Sequence, residues 1–221
     1  MRPIAFLVLT IICTPLFVSA QGSFQNLDFE AANISPGTPA GGIIAASQGI
    51  PGWSTSNNVV FDGVSGGGDF VSIIDPNLPG NISPLHGTYS VVLFGGGPLG
   101  TPASISQTGL VPANARSIEM DLASSLSPAP FVVTLGGQQI TMVPLETLPH
   151  YTVYGGDISA YAGQVENLTI TELSPPPPEV PPSALELDDI VFSPNGVPEP
   201  TTRTLLFCGA SAFALRRRYK K

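Results

Sequence analysis

Ser117-Ile118-Glu119-Met120-Asp121-Leu122 decides the fold class. Apolar and polar residues alternate with a period of two, so Ile118, Met120 and Leu122 share one face of an extended segment while Glu119 and Asp121 share the other. Adjacent outward acids on an antiparallel strand read as a wet face, with the apolar side turned to a core. Working outward, the same kind of run recurs at 24–30, 58–61, 69–74, 88–94, 104–108, 117–123, 131–135, 139–143, 151–154, 165–171 and 185–192. These runs are rich in Val, Ile, Thr, Tyr and Phe and are cut by Gly, Pro, Asn and Asp. Gly136-Gly137 reads as a hairpin turn, because both positions accept a positive φ. No long stretch carries a helical stripe. The chain is therefore expected to be all-β, two packed antiparallel sheets forming a jelly-roll β-sandwich.

The loops are soft. Residues 35–42, 63–68 and 95–100 are rich in Gly, Pro and Ser, and 174–183 is a polyproline stretch interrupting the last two strands. Such a run is a stiff spacer, or a ligand for an aromatic groove.

Charge is unevenly placed in the 221 residues. Arg116 is the one basic residue between Gln21 and Gly196, against fifteen acids there, a balance of −14. A lysine-free domain so acidic argues against nucleic-acid binding, which needs cations facing phosphates. The two cysteines, Cys13 and Cys208, fall outside this core, so the core has no disulfide.

Both ends read as addresses. Arg2, the apolar stretch 4–18 and Val18-Ser19-Ala20 fit a secretory signal peptide spanning 1–20. The other end, 197–221, opens with Val197-Pro198-Glu199-Pro200-Thr201, continues through an apolar run to Leu215 and closes with Arg216-Arg217-Arg218-Tyr219-Lys220-Lys221. Pro198 and Pro200 hold an extended lead-in that a helix does not invade. The run 204–215 would form a short transmembrane sorting helix, with the cationic end held in the cytoplasm. Twelve residues span about 18 Å as a helix, against a hydrocarbon core of about 30 Å, so the anchor is marginal.

This ordered tail resembles the PEP-CTERM sorting signal of exported bacterial proteins. The resemblance implies processing by an exosortase-type membrane protease-transpeptidase, with Pro198, Glu199, Pro200, Arg216, Arg217 and Arg218 as the sorting motif. It also implies a chain held by the membrane at least transiently, destined for the cell surface, outer envelope or matrix of a polysaccharide-producing bacterium. Arg203 departs from the neutral residues usual before the apolar run.

A second resemblance covers 21–196. Asn26-Leu27-Asp28-Phe29-Glu30, Ile50-Pro51-Gly52-Trp53 and His86-Gly87-Thr88-Tyr89-Ser90-Val91 look like the opening of a galactose-binding-like domain. Asp157-Ile158-Ser159-Ala160-Tyr161-Ala162-Gly163-Gln164 and Leu187-Asp188-Asp189-Ile190 look like its close. That superfamily includes carbohydrate-binding modules. The likeness implies a structural Ca²⁺ where the first strand meets the last, with Glu30, Asp188 and Asp189 as candidate ligands; the bland alternative is solvent-facing strand ends. Sugar modules stack aromatic rings on pyranoses. Trp53 and Tyr89 read as core, which leaves Tyr151 and Tyr154 as candidate ligand-binding residues.

Enzyme motifs are missing from the core. His86 and His150 are its histidines, and no G-x-S-x-G elbow or H-E-x-x-H is present. The expected function is an exported, non-enzymatic surface or matrix protein associated with extracellular polysaccharide. A lectin-like carbohydrate-binding module is the alternative. A glycan-acting hydrolase using paired acids such as Glu119 and Asp121 is the third reading.

Overall fold

The computed structural model describes residues 22–56, 59–63, 70–75, 83–95, 102–124, 129–173 and 183–197. The expected signal peptide, the Pro-rich loop up to residue 182 and the sorting tail from Pro198 onward lie outside these residues. Two open sheets make up the described part, with no closed barrel. The larger holds eight strands in the spatial order β1 (Ile43–Ala45), β3 (Val59–Asp62), β4 (Phe70–Ile74), β5 (Ser90–Gly95), β13 (Ser183–Ser193), β7 (Ser117–Ser124), β11 (Thr152–Asp157) and β10 (Val143–Thr147). The smaller runs β2 (Ser54–Thr55), β6 (Ala103–Leu110), β12 (Val165–Glu172), β8 (Phe131–Leu135) and β9 (Gln138–Ile140). Every neighbouring pair is antiparallel except β3 and β4, which run parallel.

Alternation aims one side chain in two at the space between the sheets. Val91 and Leu93 on β5, Ile118, Met120 and Leu122 on β7, and Leu185 and Leu187 on β13 meet Ile105, Val133, Leu168 and Ile170 from the smaller sheet in one core cluster. Each such burial contributes about 1.5–3 kcal/mol. The Gly136-Gly137 turn forms as expected, with φ of 58° and 75°, and joins β8 to β9.

The larger sheet also buries its other face at the centre. Phe70, Ile74, Val92, Phe94 and Ala184 form a second cluster with Phe61 against it. Phe70 stacks on Phe94 at 4.6 Å and meets Phe61 edge-on at 5.0 Å. Both β4 and β5 are buried at every position, so the run Val91-Val92-Leu93-Phe94 shows no alternation.

Several expected boundaries move. Residues 24–30 are not a strand. Asn26 and Phe29 adopt left-handed φ values of 50° and 56°, which break an extended path. The segment is instead a plug knotted by its own polar groups. Asn26 accepts the Ala31 N–H at 2.9 Å and donates to the Pro51 carbonyl at 3.0 Å, while its own carbonyl takes the Trp53 indole N–H at 2.9 Å. Phe29 is fully buried beside Trp53, at 5.7 Å between rings. The expected strand 139–143 is two pieces: β9 ends at Ile140 and β10 begins at Val143 in the opposite sheet. The short strands β1 and β2 and the four-residue helix α1 (Ala46–Gly49) fall where only loop was expected.

Candidate functional site

Two neighbourhoods collect the predicted residues. The first is a clasp around 85–90, the segment that leads into β5. Asp188 on β13 accepts the His86 backbone N–H at 3.1 Å and the Ser90 hydroxyl at 2.7 Å with Oδ2, and the Asp189 N–H at 2.8 Å with Oδ1. From the opposite side, Glu30 Oε1 accepts the N–H groups of Thr88 at 2.6 Å and Tyr89 at 3.0 Å. Gly87, at φ 54°, lies against the Glu30 carboxylate so closely that a Cβ there would collide with it. The His86 ring extends onto the outer face, where Nε2 lies 2.6 Å from Asp121 Oδ2 and Tyr151 meets the ring edge-on at 4.9 Å. With Asp121 ionised, Nε2 carries the proton and donates it.

These acids share a face because of register. Asp121 and Asp188 are direct cross-strand partners between β7 and β13, and Glu186 lies two residues before Asp188 on the same face. The expectation that Glu119 and Asp121 line a wet face is corrected here. Asp121 is only 6% exposed, and Glu119 is half-buried and accepts the Ser117 hydroxyl at 3.0 Å. Burial raises the Asp121 carboxyl above its ordinary range, opposed by the hydrogen bond and charge of His86. Burial pushes Asp188 up to about 6, against hydrogen bonds from Ser90, Asp189 and His86. Glu186, 2% exposed, is pushed up to about 8 by burial and by the neighbouring Asp188 charge, so it is largely protonated at neutral pH. Past Asp188 the β7–β13 register shifts, and the exposed Asp189 takes a φ of 46° at that irregularity.

The calcium candidates thus converge on one segment, but as hydrogen-bond acceptors. Both Asp188 oxygens and Glu30 Oε1 already receive protein N–H or O–H donors, and Asp189 lies exposed at the bulge. Among the described residues, no group of three or more His, Cys, Asp and Glu side chains is spaced to hold a metal ion. Three carboxylates alone fall short of the six to eight oxygens that calcium takes, so backbone carbonyls and water would have to complete a site here. The tie between the opening segment and the last strand is made by hydrogen bonds through 85–90, and directly by the Ile190 N–H donating to the Leu27 carbonyl at 3.0 Å.

The second neighbourhood is a cleft of about 370 Å³ at the edge of the sandwich. There β8 and β9 of the smaller sheet face β11 of the larger, and Thr141-Met142 bridges the gap between β9 and β10. Tyr154 and Phe131 meet in it edge-to-face, with centroids 5.3 Å apart and planes at 82°. Residues 129, 130, 132 and 133 and the stretch 139–142 supply the remaining wall. Gly155 and Gly156 belong to β11, next to Tyr154. A Cβ on Gly156 would lie 2.7 Å from the Met142 sulfur and also strike Ile140, so the bare backbone lets the bridge close over the strand.

Of the predicted ligand-binding tyrosines, Tyr154 therefore lines the cleft and Tyr151 belongs to the clasp. Trp53, 4% exposed, is core as expected. Sequence reasoning missed His86 and Asp121 as partners, since 35 positions separate them and no motif links them. It also missed Phe131, Gln139 and Met142, whose signal was a hairpin ending next to Tyr154's sheet. The sorting residues Pro198, Glu199, Pro200, Arg216, Arg217 and Arg218 lie outside the described residues. No described helix is long and apolar enough to cross a membrane. No family model matches the chain, and neither a curated protein nor a solved structure matches it.

Proposed function

We propose that this chain is an exported, non-enzymatic protein, sorted by its PEP-CTERM-like tail to the cell surface or extracellular matrix of a bacterium. Its galactose-binding-like, jelly-roll sandwich associates there with extracellular polysaccharide. The leader 1–20 and the ordered tail 197–221 support the destination, with exosortase-type machinery as the processing partner and the membrane as a transient anchor. The observation that carries the polysaccharide reading is the cleft, a concave and solvent-reachable site lined by Tyr154, Phe131, Gln139 and Thr141. A mixed lining of aromatic and aliphatic side chains with a few hydroxyl groups is what a small polar ligand with apolar patches requires. The −14 balance of the core disfavours polyanionic chains, so the expected partner is an uncharged polysaccharide.

Affinity retention of the full chain on bead-linked neutral and acidic polysaccharides tests this, with calcium and with EDTA. Retention on a neutral polymer in both buffers is the expected result. Release from all of them would leave a surface protein whose sandwich has a purely structural role. The Asp121–His86 pair is the feature that favours the hydrolase reading, since a carboxylate-oriented imidazole is half of a nucleophile-activating set. The ring's described contacts are Asp121 and Tyr151, neither of them a serine or cysteine nucleophile. Release of ester-linked acyl groups from a retained polymer, abolished by His86→Ala, would establish that reading.

A further inference from the structure

We infer that the cleft under the Thr141-Met142 bridge takes an uncharged sugar residue by its acetyl substituent, rather than by stacking a pyranose face. The inference rests on the polysaccharide reading above and narrows it to a ligand class.

Three observations carry it. The first is the geometry of the aromatic pair. A platform for stacking needs one ring exposed flat, or two rings near one plane. Phe131 and Tyr154 instead stand at 82°, with centroids 5.3 Å apart, and both are half-buried. Two rings at a right angle make a corner, and a corner receives a methyl-sized group better than the broad face of a ring. The second is the remaining wall. Met142 and Ile140 add an adaptable thioether and a branched alkyl group, and Thr141, between them, brings a hydroxyl. A methyl next to a carbonyl matches that arrangement: the methyl enters the corner and the carbonyl accepts from the hydroxyl. The third is charge. None of the residues lining the cleft is a lysine, arginine or histidine, so a carboxylate would enter without a cation to pair it. The volume of about 370 Å³ lies at the small end for ligand sites, enough for a single substituted sugar rather than a length of chain.

Methionine-methyl NMR of the full chain tests this directly. The sequence holds Met1, Met120 and Met142. Met120 is fully buried between the sheets and serves as the internal reference, while Met142 lines the cleft. The signals are assigned with Met142→Leu. The probes are the methyl glycosides of N-acetylglucosamine and glucose, together with glucosamine and glucuronate. N-acetylglucosamine should shift the Met142 methyl in a saturable manner and leave Met120 in place. Its Kd should be about tenfold lower than that of the glucose glycoside, and glucuronate should give no shift. Thr141→Val, a change at an exposed bridge residue, should weaken binding without altering the melting temperature. Equal shifts from the glucose glycoside or glucosamine would overturn the acetyl assignment. A still Met142 signal, from a chain that polysaccharide beads retain, would move the binding site elsewhere while sparing the proposed function. A still signal and no retention would remove both.

Discussion

The clasp and the cleft are built from opposite materials. Around 85–90 the chain gathers Glu30, Asp121, Asp188 and His86, and their polar atoms are turned on one another and on backbone N–H groups. In the cleft it gathers Tyr154, Phe131, Met142 and Gln139 around open space. Buried charge is tolerated only when its hydrogen bonds are made internally, and a site whose bonds are already made has little left for a ligand. Neutral groups facing solvent cost little to leave unpaired, so they remain available for recognition. On this comparison the clasp holds the sandwich together, and the cleft is the place proposed for the partner.

The sharpest way to break the comparison is Asp188→Ala. It strips the acceptor from the His86 N–H and the Ser90 hydroxyl, so folding stability should fall by about 3 kcal/mol. Thermal melting would show this as a drop of about 6–12 °C, with binding to polysaccharide retained below the new midpoint. Binding lost from a still-folded variant would merge the two neighbourhoods into one site. Gly156→Ala attacks the other side. Its methyl would press on Met142 and Ile140, at a cost of about 1–3 kcal/mol, and should weaken binding and melting together.

A pH series sharpens the picture further. Glu186 and Asp188 both have carboxyls raised in the folded state, to about 8 and about 6. A raised acid binds its proton more tightly when folded, so its stabilisation is complete below the ordinary carboxylate range and lost as pH rises through the folded value. The melting temperature should therefore decline from pH 5 toward pH 8.5. Glu186→Gln should flatten the upper part of that decline and raise the midpoint at pH 8 by a few degrees; an unchanged slope would show that this side chain ionises freely. The smallest effect is expected from calcium. Since the Asp188 oxygens and Glu30 Oε1 already hold protein donors, EDTA should leave the melt within about 1 °C of its value in calcium. A stabilisation of several degrees by calcium would restore Glu30, Asp188 and Asp189 as metal ligands.

Much of the strand content was legible because half-buried strands alternate, as β6 does. Where both faces are buried, as in β4 and β5, the runs were still visible but their faces were not. Short edge strands such as β1, β2 and β10 escaped, because two to five residues give too few turns of the period to register. The plug at 24–31 was misread as a strand for the opposite reason. Its apolar spacing fits extension, and only the tertiary bonds of Asn26 impose the left-handed turns.

The candidate residues divide in the same way. From local spacing alone the chain declared its β class, its Gly136-Gly137 turn and its unpaired acidity, since each depends on neighbours in sequence. That Asp121 would be buried against His86, that Glu30 and Asp188 would grip one segment, and that Tyr154 would meet Phe131 at a right angle were decided by tertiary structure. Cross-strand register brings together residues tens to more than a hundred positions apart, and no local pattern encodes which strand lies beside which.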